Sequence, residues 1–166
     1  MKKTVKITLA LKELIYDVQN KTYLTAKSRK TGDNYEQVAN MMASDDEENA
    51  NQVLRSIQNA FGVLKNKLAE YVTEDTKNAN DTLDGANNTT VTTEKTLDIT
   101  LNMPTNFNAA AITAIAAACH AYIVDMSVAE WLIITDKADA KDYADMAEND
   151  LQNLREAINK RTRPTY

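Results

Sequence analysis

Apolar residues alternate with polar ones along residues 3–11, where Val5, Ile7, Leu9 and Leu11 keep the two-residue period of a strand with one buried face. From Leu11 the period lengthens. Leu11, Leu14, Ile15 and Val18 follow helical spacing, which predicts a helix over about residues 10–27, ended by the polar stretch 28–33 with its Gly32. Tyr35, Val38, Ala39 and Met42 predict a short second helix. Ala50, Val53, Leu54, Ile57, Ala60, Phe61, Leu64, Leu68 and Tyr71 then form the longest single apolar stripe, an amphipathic helix expected to reach about Thr73. Ser44 and Glu47, three apart ahead of that stripe, read as a capping box, and the acidic residues 45–48 complement the positive end of the helix.

Residues 74–96 break the pattern: Asn, Asp and Thr crowd the segment, and Asp84-Gly85 is a turn signal, so a projecting polar loop or hairpin is expected. Leu97, Ile99 and Leu101 alternate again until Pro104 stops the strand. Thr105 or Asn106 is positioned to cap a helix from about Asn108, and its 109–124 portion, apolar on every side, predicts burial around the whole girth. Ser127 and Glu130 repeat the capping-box spacing and predict a bend before Trp131. A last helix from Thr135 or Asp136 carries Ala140, Tyr143, Ala147, Leu151, Leu154 and Ile158 on one face, then gives way to a basic tail, 160–166. Lys3-Thr4-Val5-Lys6-Ile7-Thr8-Leu9 and Lys95-Thr96-Leu97-Asp98-Ile99-Thr100-Leu101 share the frame Lys-Thr-x-x-Ile-Thr-Leu, and two such strands are expected to pair. The fold class is therefore mainly α, a single domain over 1–166: about four bundled helices, two short strands or a hairpin, and the long loop.

Composition narrows the chemistry. The chain has 166 residues, 43% hydrophobic and 26% charged, with 3 Gly, 2 Pro, 1 Cys and 1 His. So few Gly and Pro argue against a sandwich or barrel full of tight turns, and one Cys excludes an internal disulfide or a multi-thiolate zinc site. A net charge of −5 argues against a dedicated nucleic-acid binder. Lys6, Lys12 and Glu13 interrupt what would be the apolar part of a secretory leader, so none is expected. The apolar run 109–124 is about 16 residues, below the roughly 20 of a spanning helix, so no membrane partner is expected.

Catalysis is not expected, and neither is a cofactor or metal. Residues 45–48 lack the glycine and later glutamate of a calcium loop, and Leu83 spoils the same pattern at Asp81–Gly85. Cys119 and His120 are adjacent on a helix and point about 100° apart, which suits a packed thiol and a hydrogen-bonded histidine better than a nucleophilic dyad. Tyr122, Trp131 and Tyr143 read as packing residues. An enzyme whose acids, Asp136 or Asp139, face a cleft is the remaining catalytic option. Lys27, Arg29 and Lys30, and Lys160, Arg161 and Arg163, form two basic clusters, read as solvated charge ahead of a phosphate or acidic-partner contact.

Three stretches carry a resemblance: Tyr16-Asp17-Val18-Gln19-Asn20-Lys21-Thr22, Glu48-Asn49-Ala50-Asn51-Gln52-Val53-Leu54-Arg55, and Ile158-Asn159-Lys160-Arg161-Thr162-Arg163-Pro164. They resemble small helical proteins encoded among the virion structural genes of tailed phages and prophages of gut anaerobes. The resemblance implies a non-enzymatic neck or head-to-tail connector subunit, made in the host cytoplasm and built into the virion. Such subunits form a homo-oligomeric ring around the DNA channel, beside portal, neck or tail proteins, and an acidic wall lets DNA pass without specific binding. Expected subunit-interface residues are Asp84, Thr90 and Val91 in the loop and Lys160, Arg161, Arg163 and Tyr166 in the tail. The alternative is a helical adaptor or regulator acting as monomer or dimer.

Overall fold

The computed structural model describes residues 3–44, 46–72 and 96–164. Strand β1 (Lys3–Ala10) runs without a loop into helix α1 (Leu11–Ser28), at the residue where the apolar period changes from two to 3.6. Helix α2 (Tyr35–Met41) and helix α3 (Glu47–Lys67) follow, then strand β2 (Thr96–Met103), a 3₁₀ turn (Ala109–Ala111), helix α4 (Ile112–Thr135) and helix α5 (Lys137–Ile158). The protein is mainly helical, with one two-stranded antiparallel sheet.

The two strands pair antiparallel. Val5 faces Leu101, Ile7 faces Ile99 and Leu9 faces Leu97, all six buried, while Lys6 opposite Thr100 and Thr8 opposite Asp98 lie on the other face. That split is why the sheet holds: its apolar face covers the bundle and its polar face meets water. Val72 bridges Leu101 on the opposite edge of β2, and the Asn102 N–H donates to the Tyr71 carbonyl at 2.7 Å. Helix α3 consequently stops at Lys67, short of the expected Thr73, because the sheet edge captures the chain through Tyr71 and Val72.

Helix α4 occupies the centre of the bundle, packed by α5 along its length and by α3 and α1 on its flanks. Leu14, Val18, Ile57, Leu64, Ile115, Ile123, Val128, Leu132, Leu151 and Leu154 are wholly buried where these helices meet. Each such side chain is worth about 1.5–3 kcal/mol of burial. Asp136 alone makes the corner between α4 and α5: its N–H donates to the Leu132 carbonyl at 2.6 Å and its Oδ1 accepts the Ala138 N–H at 3.1 Å.

Several local expectations change in the structure. The all-round burial expected of residues 109–124 does not hold, since Ile112, Thr113, Ala114 and Ala117 are exposed; the helix is packed on nearly every side only further on, at residues 122–132, where all but Met126 and Glu130 are buried. Alanine hides little area wherever it sits, so an alanine-rich run reads as core even on a surface turn. No break interrupts α4 at Ser127, whose hydroxyl donates to the Ile123 carbonyl at 2.7 Å, inside the helix it was expected to cap. The cap before α4 is Asn108, whose Oδ1 accepts the Ala110 N–H at 3.0 Å, in place of Thr105 or Asn106. Ser44 does not form the expected capping box; α3 begins after Asp46, and the Ser44 hydroxyl accepts from Asn49 Nδ2 at 2.7 Å. The continuous helical stretch 109–135 is also longer than the apolar run suggested, and by length and composition it could cross a membrane. Its packing against α1, α3 and α5 is that of a bundle's central helix.

Candidate functional site

Asp17, Lys21 and Thr25 on α1, and Arg29 just past its end, recur every four residues beside the buried stripe Leu14, Val18, Thr22 and Ala26. A four-residue spacing drifts slowly round a helix, so these side chains follow one edge of the apolar contact. Each meets a partner on α4 or α5. Asp17 Oδ2 lies 2.5 Å from His120 Nε2, Lys21 Nζ donates to Asp125 Oδ1 at 2.6 Å, and the Thr25 and Tyr143 hydroxyls share a 2.6 Å bond. Arg29 grips Asp139 with two donors, Nε to Oδ2 at 2.9 Å and Nη2 to Oδ1. The result is a polar seam closing α1 onto the α4–α5 hairpin.

The electrostatics of the seam follow from burial. Asp125 and Asp139 have side chains only 3% and 7% exposed, so each needs its cation. The hydrogen bond from Arg29 holds the Asp139 carboxyl below the usual carboxylate range, against the opposing effect of burial. Asp150, one helix over from Asp125, behaves oppositely. Burial first, then a hydrogen bond and repulsion from Asp125, push its carboxyl up to about 7, with Lys21 pulling the other way. Asp150 Oδ2 is shut away from water and has no hydrogen-bond partner. Burial also raises the Tyr122 hydroxyl, with Glu148 and Glu130 adding to it.

Other expected groups are placed as follows. Cys119 is fully buried and burial pushes its thiol up to about 12, while the His120 imidazole is bonded to Asp17, so the adjacent pair is not a dyad. Trp131 is a packing residue with its indole N–H donating to the Met41 carbonyl at 2.8 Å. Asp136 and Asp139, the acids of the catalytic option, serve as a helix cap and an ion-pair partner. In the first basic cluster Arg29 turns inward, Lys27 sits 5.9 Å from the Tyr23 ring and Lys30 sits 4.9 Å from the Tyr35 ring. Among the described residues no group of three or more metal-ligating side chains occurs.

The tail is strapped down at its root. Arg161 pairs with Phe107, the Thr162 N–H donates to the Asn106 carbonyl at 2.8 Å, and the Asn108 N–H donates to the Lys160 carbonyl at 3.1 Å. The Arg161 guanidinium donates to the Ile158 carbonyl at 2.7 Å, closing the end of α5, and Arg163 is exposed. Asp84, Thr90, Val91 and Tyr166 lie outside the described residues. A shallow cleft of about 280 Å³ separates Lys67, Leu68 and Tyr71 from Arg155, Ile158 and Asn159, spanned at one point by Tyr71 Oη donating to Asn159 Oδ1 at 3.2 Å.

Lys21, Asp125 and Asp150 escaped the sequence reading as a site. Their only trace was the four-residue recurrence on α1 and an aspartate placed just after an apolar run. No family model, curated protein or solved structure matches this chain.

Proposed function

We propose that this chain is a non-enzymatic building block of a tailed-phage virion, a head-to-tail connector or neck subunit that assembles with copies of itself into a ring around the DNA channel. The observation that carries the reading is where the two expected docking segments are rooted. Val72, the last described residue before the expected loop, bridges Leu101 near the Met103 end of β2, the chain resumes at Thr96 at the other end of that strand, and Arg161 at the root of the tail pairs with Phe107 just after it. Tyr71 and Asn159 tie the two roots together. Val72, where the expected loop begins, and the root of the tail are therefore neighbours, which suits a subunit that reaches its neighbours from a fixed bundle.

Two further features support the reading. The seam commits its charged groups to holding α1 in place, and exposed apolar side chains remain on the outside, among them Tyr16, Leu24, Tyr35 and Ile134. The chain is acidic, at −5, which suits a wall that DNA passes.

Sedimentation and electron microscopy of the purified chain, alone and with portal, neck or tail proteins, test the proposal. Closed rings are expected for the full chain. Deleting residues 76–93, or truncating after Lys160, is expected to abolish ring assembly while cooperative melting persists. A full-length chain that stays monomeric in the presence of those proteins and engages one partner through its bundle would establish the adaptor reading instead.

A further inference from the structure

The two edges of the sheet are treated differently. Tyr71 and Val72 occupy the outer edge of β2, where the Asn102 N–H donates to the Tyr71 carbonyl. Backbone polar groups alternate in direction along a strand, so this one bond fixes the parity of the whole ladder. Asn102, Thr100 and Asp98 aim their N–H and C=O groups away from β1, while Leu101, Ile99 and Leu97 aim theirs at Val5, Ile7 and Leu9. Thr4, Lys6 and Thr8 of β1 therefore turn their N–H and C=O groups outward, along the far edge of the sheet. All three are exposed, and among the described residues nothing bonds to their backbone there. An eight-residue strand with such an edge is a template for another strand.

We propose that this edge of β1 pairs antiparallel with β1 of a second copy of the chain, joining two sheets into one of four strands. Charge selects both the partner and the register. A pairing centred on Lys6 would set two ammonium groups directly opposite one another, which is unfavourable. Centred on Ile7, the pairing sets Lys6 opposite Thr8 of the second copy, and both are residues whose backbone groups point outward, so each such pair exchanges two hydrogen bonds.

Only that register lines Lys6 up with an acid. Asp98 stands beside Thr8 on the solvent face, so the row across the joined sheet runs Asp98, Thr8, then Lys6 and Thr100 of the second copy. Strands lie about 4.8 Å apart, which puts the two backbones about 10 Å from each other, within the combined reach of a lysine and an aspartate. Lys6 and Asp98 are both exposed, and neither has an ion-pair partner among the described residues. The two-fold axis makes this contact twice. This inference is independent of the ring reading, since a two-fold contact joins copies in pairs whether or not a ring closes.

Residue-resolved amide exchange of the full chain at high and low concentration, beside sedimentation, tests this. The Lys6 and Thr8 amides are expected to be slowed about tenfold or more when concentrated and to lose that protection on dilution, as the mass falls from dimer to monomer. The Ile7 and Leu9 amides should stay protected throughout, because they face β2. Thr8→Lys sets like charges opposite at an exposed position, so it should abolish the dimer while leaving melting cooperative. Asp98→Lys is expected to weaken the dimer about tenfold, and adding Lys6→Glu to the same chain to restore it. Lys6 and Thr8 amides that exchange freely in a concentrated sample overturn the proposal. So does protection that survives dilution, which would assign the edge to the same chain, or a dimer indifferent to Thr8→Lys.

Discussion

Ile7 of β1 and Ile99 of β2 stand directly opposite one another in the ladder, and they are equivalent residues of the two Lys-Thr-x-x-Ile-Thr-Leu frames. In an antiparallel pair a residue faces its own equivalent only where the local two-fold axis passes. Val5 opposite Leu101 and Leu9 opposite Leu97 are the two halves that this axis exchanges. The helices depart from the symmetry at once, since α1 joins β1 directly whereas residues 104–111 separate β2 from α4. The dyad is a property of the strands, where both halves must supply the same apolar face.

Ile7 and Ile99 are 2% and 1% exposed, so truncating either opens a cavity beneath the sheet. Ile7→Ala and Ile99→Ala are each expected to cost about 2–5 kcal/mol in urea denaturation. Because the two side chains share one space, the double variant should lose less than the sum of the single losses, by about 0.5 kcal/mol or more.

Arg29 and Asp139 make the other end of the seam acid-sensitive. The folded carboxyl is held low by Arg29, so its contribution is present above the unfolded value and lost as pH falls through the folded one. Arg29→Ala leaves the Asp139 carboxylate without its cation and should lower the melting temperature at pH 7. The gap between variant and parent should shrink as the melts are repeated toward pH 3.

Cys119 combines complete burial with a thiol pushed up to about 12. A disulfide reagent at pH 8 is expected to leave it untouched in the native protein and to modify it fully in denaturant, since thiolate is the reactive form. Fast labelling of the native chain would show that α4 opens readily at that turn.

Trp131 ties α2 to α4 through the Met41 carbonyl. Trp131→Phe strands that carbonyl and removes indole area, so a loss of about 2–4 kcal/mol is expected. The chain has one tryptophan, so its emission reports directly on the docking of α2 and should red-shift when that region opens.

Much of the fold was legible because its signals are local. Alternation at Val5, Ile7 and Leu9 and again at Leu97, Ile99 and Leu101 marked the strands, and the stripe from Ala50 to Leu68 marked α3. The corner before α5 could be read as Thr135 or Asp136 from the polar break between two apolar patterns, and Asp136 is the residue that caps the helix. The errors arose where a local signal had a competing partner. Ser127 looked like a cap and bonded instead to its own helix; Tyr71 continued the apolar stripe but was drawn to the sheet edge.

Hydrophobic spacing along the chain was thus sufficient to determine the element order, the mainly helical class and the pairing of two like strands, since burial of one face imposes a period that neighbours in sequence must obey. Only the tertiary structure decided which charges meet: Lys21 and Asp125 stand 104 positions apart, and nothing in either segment singles out the other. The bridges of Val72 to Leu101 and of Arg161 to Phe107 likewise arise from packing the helices and the sheet around α4. Interactions between remote residues leave no periodic trace, because their cost and benefit appear only when water has been excluded from between them.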